Sequence, residues 1–330
     1  MSRFPGGKRF AFTIIDDTDV ATVENVAPMY RLLERLGIRT TKTVWPLSCP
    51  EGSPNFGSSQ TLDDADYCAF VLDLQRRGFE IASHGATMES SVRERTLRGL
   101  ERLRATFGQY PTVHANHAGN RESLYWGAAR IDATVARAVY RLLQPDLDAF
   151  EGHAPHSPYW WGDVARTHIR YVRNLTFGAL NVARINPTLP YHDPRRPLVA
   201  WWFSAADAND CPAFNRLLRS SAQARLEHDA GIAIVATHFG KGFVTEGRVH
   251  PRTVALLERL SRRSGWFVPV GELLDWLRES GAGGVLPAAE WRRMQWRWLW
   301  DLLRRGVVAR ARHAAHTWTG PTSRGPITAR

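Results

Sequence analysis

Phe10-Ala11-Phe12-Thr13-Ile14-Ile15-Asp16-Asp17-Thr18-Asp19 is the stretch on which the reading of this chain turns. An apolar run carrying two β-branched isoleucines predicts a buried strand over Phe10–Ile15. It stops abruptly in acid. Adjacent carboxylates at the end of a core strand repel one another and lose hydration, so a cation, a proton or strong donors must compensate. One of the three aspartates could cap the helix that follows. Capping leaves the other two unexplained, and a site accounts for them.

Outward from this strand, helix and strand alternate. Val23, Val26, Met29, Tyr30, Leu33 and Leu36 recur at helical spacing as far as Gly37. Arg39–Trp45 is a strand, and Pro46–Ser59 a loop rich in proline and serine. Asp63 caps a helix running to Arg77. Phe79–Ser83 is a strand that leads into His84, and about Ser90–Phe107 is a helix. Thr112–Ala115 is a short strand leading to Asn116-His117-Ala118-Gly119-Asn120. Glu122 to about Leu143 has a helical pattern, whereas Gln144–Asn209, crowded with aromatics and prolines, holds short strands and an insertion. Leu198–Phe203 is strand-like and Pro212–His228 helical. Gly231–Thr237 is the cleanest buried strand and ends at His238. A helix over Thr253–Arg263, a strand near Trp266–Pro269 and a helix over Val270–Glu279 follow.

About seven such alternations predict a parallel α/β domain with right-handed crossovers. No glycine-rich dinucleotide fingerprint or phosphate loop follows any strand, which favours a closed or nearly closed (β/α) barrel over an open nucleotide-binding sheet. The expected division is a barrel over residues 1–285 and a separate tail over 286–330. Asp17, His84, His117, Asp207 and His238 each fall just past a strand's C-terminal end, and in a parallel barrel those ends share one face. A carboxylate and imidazoles gathered there can hold a divalent ion that activates water, with a second carboxylate as base and a histidine as acid. Hydrolysis of an amide or ester follows from such a set.

Composition permits this. The 330 residues are 44% apolar and 23% charged, with no run long enough for a membrane-spanning helix. The N-terminus lacks an apolar signal core, and the three cysteines are unpaired by spacing, so a cytoplasmic setting is expected. Net charge is +11, unevenly placed. Pro287–Arg330 carries nine arginines against Glu290 and Asp301, which leaves a mildly basic body.

The order Thr13-Ile14-Ile15-Asp16-Asp17, then Gly78-Phe79-Glu80-Ile81-Ala82-Ser83-His84, then Thr237-His238 resembles the polysaccharide deacetylase family, carbohydrate esterase family four. The similarity spans about Phe10 to Leu277, with some twenty residues in firm motifs. It implies a deformed, roughly seven-stranded barrel that removes acetyl groups from sugars with a bound divalent metal, expected to be zinc. By the same resemblance Asp16 is the base, Asp17 and His84 are metal ligands, and His238 is the general acid. The family's second motif places another histidine four residues on, where this chain has Met88. Thioether sulfur suits a hard nitrogen and oxygen site poorly, so His117 is expected as the third ligand, ahead of His114. Asn120 or Arg121 stands roughly where the family has an arginine. Asp207, after Trp201-Trp202, resembles the fourth motif. Asn120, Tyr125, Trp126, Trp202 and Asp207 are the expected substrate contacts, the aromatics by stacking on sugar rings.

The implied substrate is a small or lipid-linked N-acylated sugar, a precursor of surface polysaccharide. Two alternatives stand beside it. Met88 also fits a non-catalytic, membrane-associated sugar-binding relative that has lost its metal. Asp17-Thr18-Asp19 after a buried strand also fits a haloacid-type phosphatase. In the tail, Trp291, Met294, Trp298 and Leu302 share a helical face that Trp296, Trp300 and Leu303 widen, with arginines between. A basic amphipathic helix of this kind suits an anionic membrane surface, or its apolar face packs on the barrel. No recognition motif or groove suggests nucleic acid. Disorder is expected from about Thr317 onward.

Overall fold

Strand β1 (Phe10–Asp16) is buried at every residue. It is the seam along which the sheet closes. The computed structural model describes residues 4–143 and 149–317, and the tail beyond Thr317, expected to be disordered, lies outside the described residues. The remaining strands are β2 (Thr41–Val44), β3 (Glu80–Ser83), β4 (Val113–Ala115), β5 (Tyr171–Phe177), β6 (Tyr191–His192), β7 (Trp201–Ala208), β8 (Ile232–Thr237), β9 (Val244–Thr245), β10 (Arg248–Val249), β11 (Gly265–Phe267) and β12 (Gly284–Val285). Seven of them, β1, β2, β3, β4, β5, β7 and β8, pair in that order and in parallel. The β1–β8 ladder, from Ala11↔Ile232 to Asp16↔Thr237, completes the ring. The chain is therefore a closed, deformed parallel barrel.

Its deformation has identifiable causes. β11 occupies the lower edge of β1, pairing Phe10 to Phe12 with Gly265 to Phe267. β2 can then meet β1 only at Ile15 and Asp16. The register of β5 against β7 shifts between Arg173 and Thr176, which changes the direction in which β5 presents its side chains. Strands covered on both faces read as continuous apolar runs, and this made β1 and β8 plain in the sequence.

Helices α1 (Val23–Arg35), α2 (Ala65–Arg76), α3 (Arg93–Phe107), α4 (Thr134–Leu143), α5 (Gly162–His168), α6 (Cys211–Leu217), α7 (Ser220–His228), α8 (Pro251–Ser261), α9 (Val270–Glu279) and α10 (Ala288–Thr317) account for the rest. Thr22 caps α1 in a reciprocal box with Asn25, so none of the strand-end aspartates is used for capping. Asp63 caps nothing either: it accepts the amide of Ser48 at 3.0 Å and ties down the 46–59 loop, while α2 starts after Asp64. The helix expected over Pro212–His228 is two, divided at Leu218 and Arg219. The pattern over Glu122–Leu143 yields only a short 3-10 turn at Gly127–Arg130 and α4. β7 starts later than expected and runs to Ala208, so Asp207 lies inside the strand rather than beyond it.

The tail helix docks through one face. Trp291, Met294, Trp298 and Leu299 are buried, and the Trp298 ring stacks on Tyr140 of α4 at 5.4 Å. Asp301 accepts the amide of Gly178, just past β5, at 2.9 Å. Trp296 and Trp300 do not widen this face; they point away from it and are exposed.

Candidate metal centre and active site

Three acidic residues within four positions at the end of β1 meet three different fates. Asp16, expected as the base, is fully buried and fully engaged. Lys42 lies 3.0 Å from its Oδ2, the Tyr30 hydroxyl donates to the same oxygen at 2.9 Å, and the Phe239 amide donates to Oδ1 at 2.7 Å. Asp16 also holds the buried Lys42 amine above its ordinary value, against the burial that would lower it. Such a carboxylate is a structural pair for Lys42, with both oxygens already engaged.

Asp17, expected as a metal ligand, is gripped instead by Arg173 of β5. The guanidinium donates to Oδ1 at 2.8 Å and to Oδ2 at 2.6 Å. Burial alone would raise the Asp17 carboxyl, but Arg173, then His84 and His238, hold it below the usual range. Bidentate pairing fixes orientation as well as charge. Arg173, and neither Asn120 nor Arg121, is thus the arginine of the site.

Asp19 takes the place expected of Asp17. Thr18 donates its amide to Thr43 Oγ1 at 3.0 Å and shares a hydroxyl contact with Tyr67 at 2.9 Å. Val20 then turns at φ 51°, a conformation β-branched residues rarely adopt. Its amide is secured by Ser59 Oγ at 2.8 Å. The turn aims Asp19 into a ring of imidazoles. His84 Nε2 is 3.3 Å from Oδ1; His238 Nε2 at 3.2 Å and His117 Nε2 at 3.7 Å face Oδ2, as does Lys241 Nζ at 3.2 Å. Burial would raise the Asp19 carboxyl; the surrounding imidazoles of His117, His238 and His84 lower it instead.

The other nitrogen of each ring decides what Nε2 can do. His84 Nδ1 lies 2.8 Å from the Ala115 carbonyl and His238 Nδ1 2.9 Å from that of Asn209. A carbonyl only accepts, so both Nδ1 atoms carry hydrogen. His117 Nδ1 meets Asn120 Oδ1 at 2.8 Å, and the Asn120 orientation is set because its Nδ2 lies 2.9–3.0 Å from three oxygens, Thr87 O, Glu89 O and Glu122 Oε1, among which its two hydrogens are shared. In the neutral rings every Nε2 is therefore a bare lone pair directed at a carboxylate. Asp19 Oδ1 and His84 Nε2 are both buried without a hydrogen-bond partner. Acceptors facing acceptors call for a cation. One donor atom each from Asp19, His84 and His117 lies within 4.8 Å of the others, a carboxylate and two imidazoles, a set that suits a divalent ion.

Met88 leaves no gap in this set. Its sulfur accepts from Ser58 Oγ at 3.3 Å, beside a small cleft of 100 Å³ lined by Trp45, Cys49, Ser59 and Thr87. His114 is buried at Ser83, 3.1 Å from its hydroxyl, and pushed down to about 3 by burial and then by His84. It is a neutral core histidine.

The expected substrate contacts scatter. Asn120 is buried and serves His117. Trp126 is nearly buried, with the Arg130 guanidinium 3.8 Å from its ring centre and on to Trp298 at 4.2 Å, so its face is covered. Trp202 is fully buried, 6.1 Å edge-on from Tyr125. Half-buried Tyr125 adopts φ 46° and lies against His153. Asp207, half-buried, pairs with Ala236 near the top of β7. The ring that does border the centre is Trp45, 4.8 Å from His84 and 5.3 Å from His117. Arg173, Asp19 and Trp45 were missed. Asp19 was visible as the last acid of its run, and Tyr171-Val-Arg-Asn-Leu-Thr-Phe177 is rich in strand formers, but its arginine and asparagine disguise a buried strand.

No family model matches the sequence, and no curated protein does. Among solved structures the chain is similar to a protein assigned as a polysaccharide deacetylase from Mycobacterium smegmatis, at 14% identity, covering 86% of this chain and 96% of that one, with a TM-score of 0.49. Puue allantoinase gives 13%, 85%, 94% and 0.48. A protein assigned as a polysaccharide deacetylase from Pseudomonas aeruginosa PAO1 gives 14%, 84%, 94% and 0.48. At this distance the likeness is one of architecture, and the chemistry has to be argued from the side chains.

Proposed function

We propose that this barrel is a metal-dependent hydrolase that removes an acetyl-type acyl group from an N-acylated sugar. The observation that carries the reading is the convergence of the Nε2 atoms of His84, His117 and His238 on Asp19, next to an Asp17 locked by Arg173. Asp19, His84 and His117 would hold the ion, zinc being favoured by the ligand types. When bound, such an ion supplies Lewis acidity, polarising an acyl carbonyl and making water a competent nucleophile near neutral pH.

The chain's own residues do the rest. Asp17, ionised at working pH, accepts a proton from the attacking water while Arg173 keeps its oxygens in place. His238, anchored through Nδ1 and standing 3.9 Å from Asp17, is the acid in its imidazolium form: it carries a second proton on Nε2 and gives it to the departing amine. The C–N bond breaks and the acyl group leaves as a carboxylate.

The haloacid-type alternative needs Asp17 to attack phosphorus and Asp19 to act as a proton-carrying acid, whereas the groups around Asp19 favour its ionised form. The non-catalytic alternative rested on Met88, whose place among the ligands His117 can fill. The test is release of carboxylate from N-acetylated sugars by zinc-loaded protein. Wild type should release it, and Asp17→Asn should be slowed by roughly 10²–10⁴-fold with its metal retained. No release from any N-acylated sugar, with phosphate freed from phosphomonoesters instead, would sink the proposal.

A further inference from the structure

Docking of α10 leaves its outward side unaccounted for. Trp296 and Trp300, one turn apart, are 47% and 53% exposed. At the helical angle per residue, Arg293, Arg297 and Arg304 fall on the same outward side, opposite Trp291, Met294 and Trp298. The Arg304 guanidinium lies 5.3 Å from the Trp300 ring centre. Arg297 also opens into a cleft of 410 Å³ whose other cations are Arg184, Arg219 and Arg225 and whose apolar lining includes Leu180 and Leu217. Acid is scarce here. Asp229 pairs with Arg184 at 3.2 Å and Asp301 with Arg297 at 3.4 Å, while Arg219 and Arg225 have no carboxylate partner among the described residues.

We propose that this stripe of indoles and guanidiniums, with the arginine-lined cleft beside it, docks the protein on an anionic phospholipid surface. Two large aromatics held in water on a helix whose opposite face is already packed gain nothing there. At the headgroup level of a bilayer the indoles find apolar carbon and polar edge partners together, and the arginines find phosphate. The cleft is of a size for a phosphorylated headgroup, with an apolar floor beneath the charges. A nucleic acid offers the same phosphates, but a convex helix with outward indoles provides no groove to track a strand. Among the described residues no helix is long and apolar enough to cross a membrane, so the contact is with the surface.

Flotation of the full chain with vesicles tests this. Binding is expected to vesicles of phosphatidylcholine mixed with phosphatidylglycerol, to weaken as salt rises, and to be absent with phosphatidylcholine alone. Arg184→Gln and Arg225→Gln should each weaken it roughly fivefold, and Trp296→Ser with Trp300→Ser should weaken it at every salt concentration. These side chains are exposed, so unchanged thermal melts and unchanged carboxylate release from a soluble sugar show that the fold survives. Equal binding to both kinds of vesicle, or binding indifferent to the tryptophan pair, would overturn the proposal. So would retention of duplex DNA or RNA by a protein that ignores the anionic vesicles, which would assign the stripe to nucleic acid.

Discussion

Arg173 of β5 holds both carboxylate oxygens of Asp17, at 2.8 and 2.6 Å, across 156 positions of sequence. The two residues are buried, and among the described residues the other ion-pair contact of either is His238 Nε2, 3.9 Å from Asp17 Oδ2. Replacing Arg173 by Gln strands a carboxylate in the barrel mouth, and unfolding should become easier by about 3–5 kcal/mol. The pair also has a pH signature. Because the folded Asp17 carboxyl is depressed below its ordinary 3.8, its contribution is complete above that pH and is lost as the pH falls below it. Urea melts at neutral and acidic pH should therefore converge for wild type and Arg173→Gln toward acid.

Asn120 is a positioning residue. It joins His117 Nδ1 to the carbonyls of Thr87 and Glu89, on either side of Met88. Asn120→Ala should lower zinc affinity by roughly 10–100-fold, as loss of an outer hydrogen bond to a ligating histidine does. Met88→His should fail to restore it, since that side chain is directed to Ser58. A competition titration with a coloured chelator reads both.

Much of this arrangement was legible, and the failures share a cause. β1 and β8 announce themselves as unbroken apolar runs, and His84 and His238 stand where such strands end. A linear sequence does not say which of several neighbouring acids faces which partner. Asp16, Asp17 and Asp19 differ only in what lies across from them: Lys42, Arg173 and the imidazoles, each supplied by a remote strand or loop. The aromatic clusters misled for the same reason. Trp126 and Trp202 look like sugar platforms until Arg130 and the core cover them.

Glu122 should make stability fall with rising pH. It is nearly inaccessible to solvent, and burial pushes its carboxyl up from 4.5 to about 7 despite the Ser91 amide and Asn120. The folded state thus holds a proton that the unfolded state has released between those values, so stability declines across that window by up to about 3 kcal/mol. Glu122→Gln should flatten the decline in chelator-treated protein. An equal slope in both proteins would place the proton elsewhere.

Gly240 should tolerate no side chain. A Cβ there would lie 2.8 Å from the Val20 carbonyl oxygen and 3.1 Å from that of Asp19, so the strained turn presenting Asp19 would have to move. Gly240→Ala is expected to keep the barrel, by circular dichroism, and to lose most of its zinc.

The assignment of Asp19 rather than Asp17 to the ion is the claim on which the rest depends. Elemental analysis after zinc loading and desalting of the wild type, Asp17→Asn and Asp19→Asn tests it most directly. The account predicts stoichiometric zinc in the first two proteins and none in the third. Zinc retained by Asp19→Asn and lost from Asp17→Asn would contradict it.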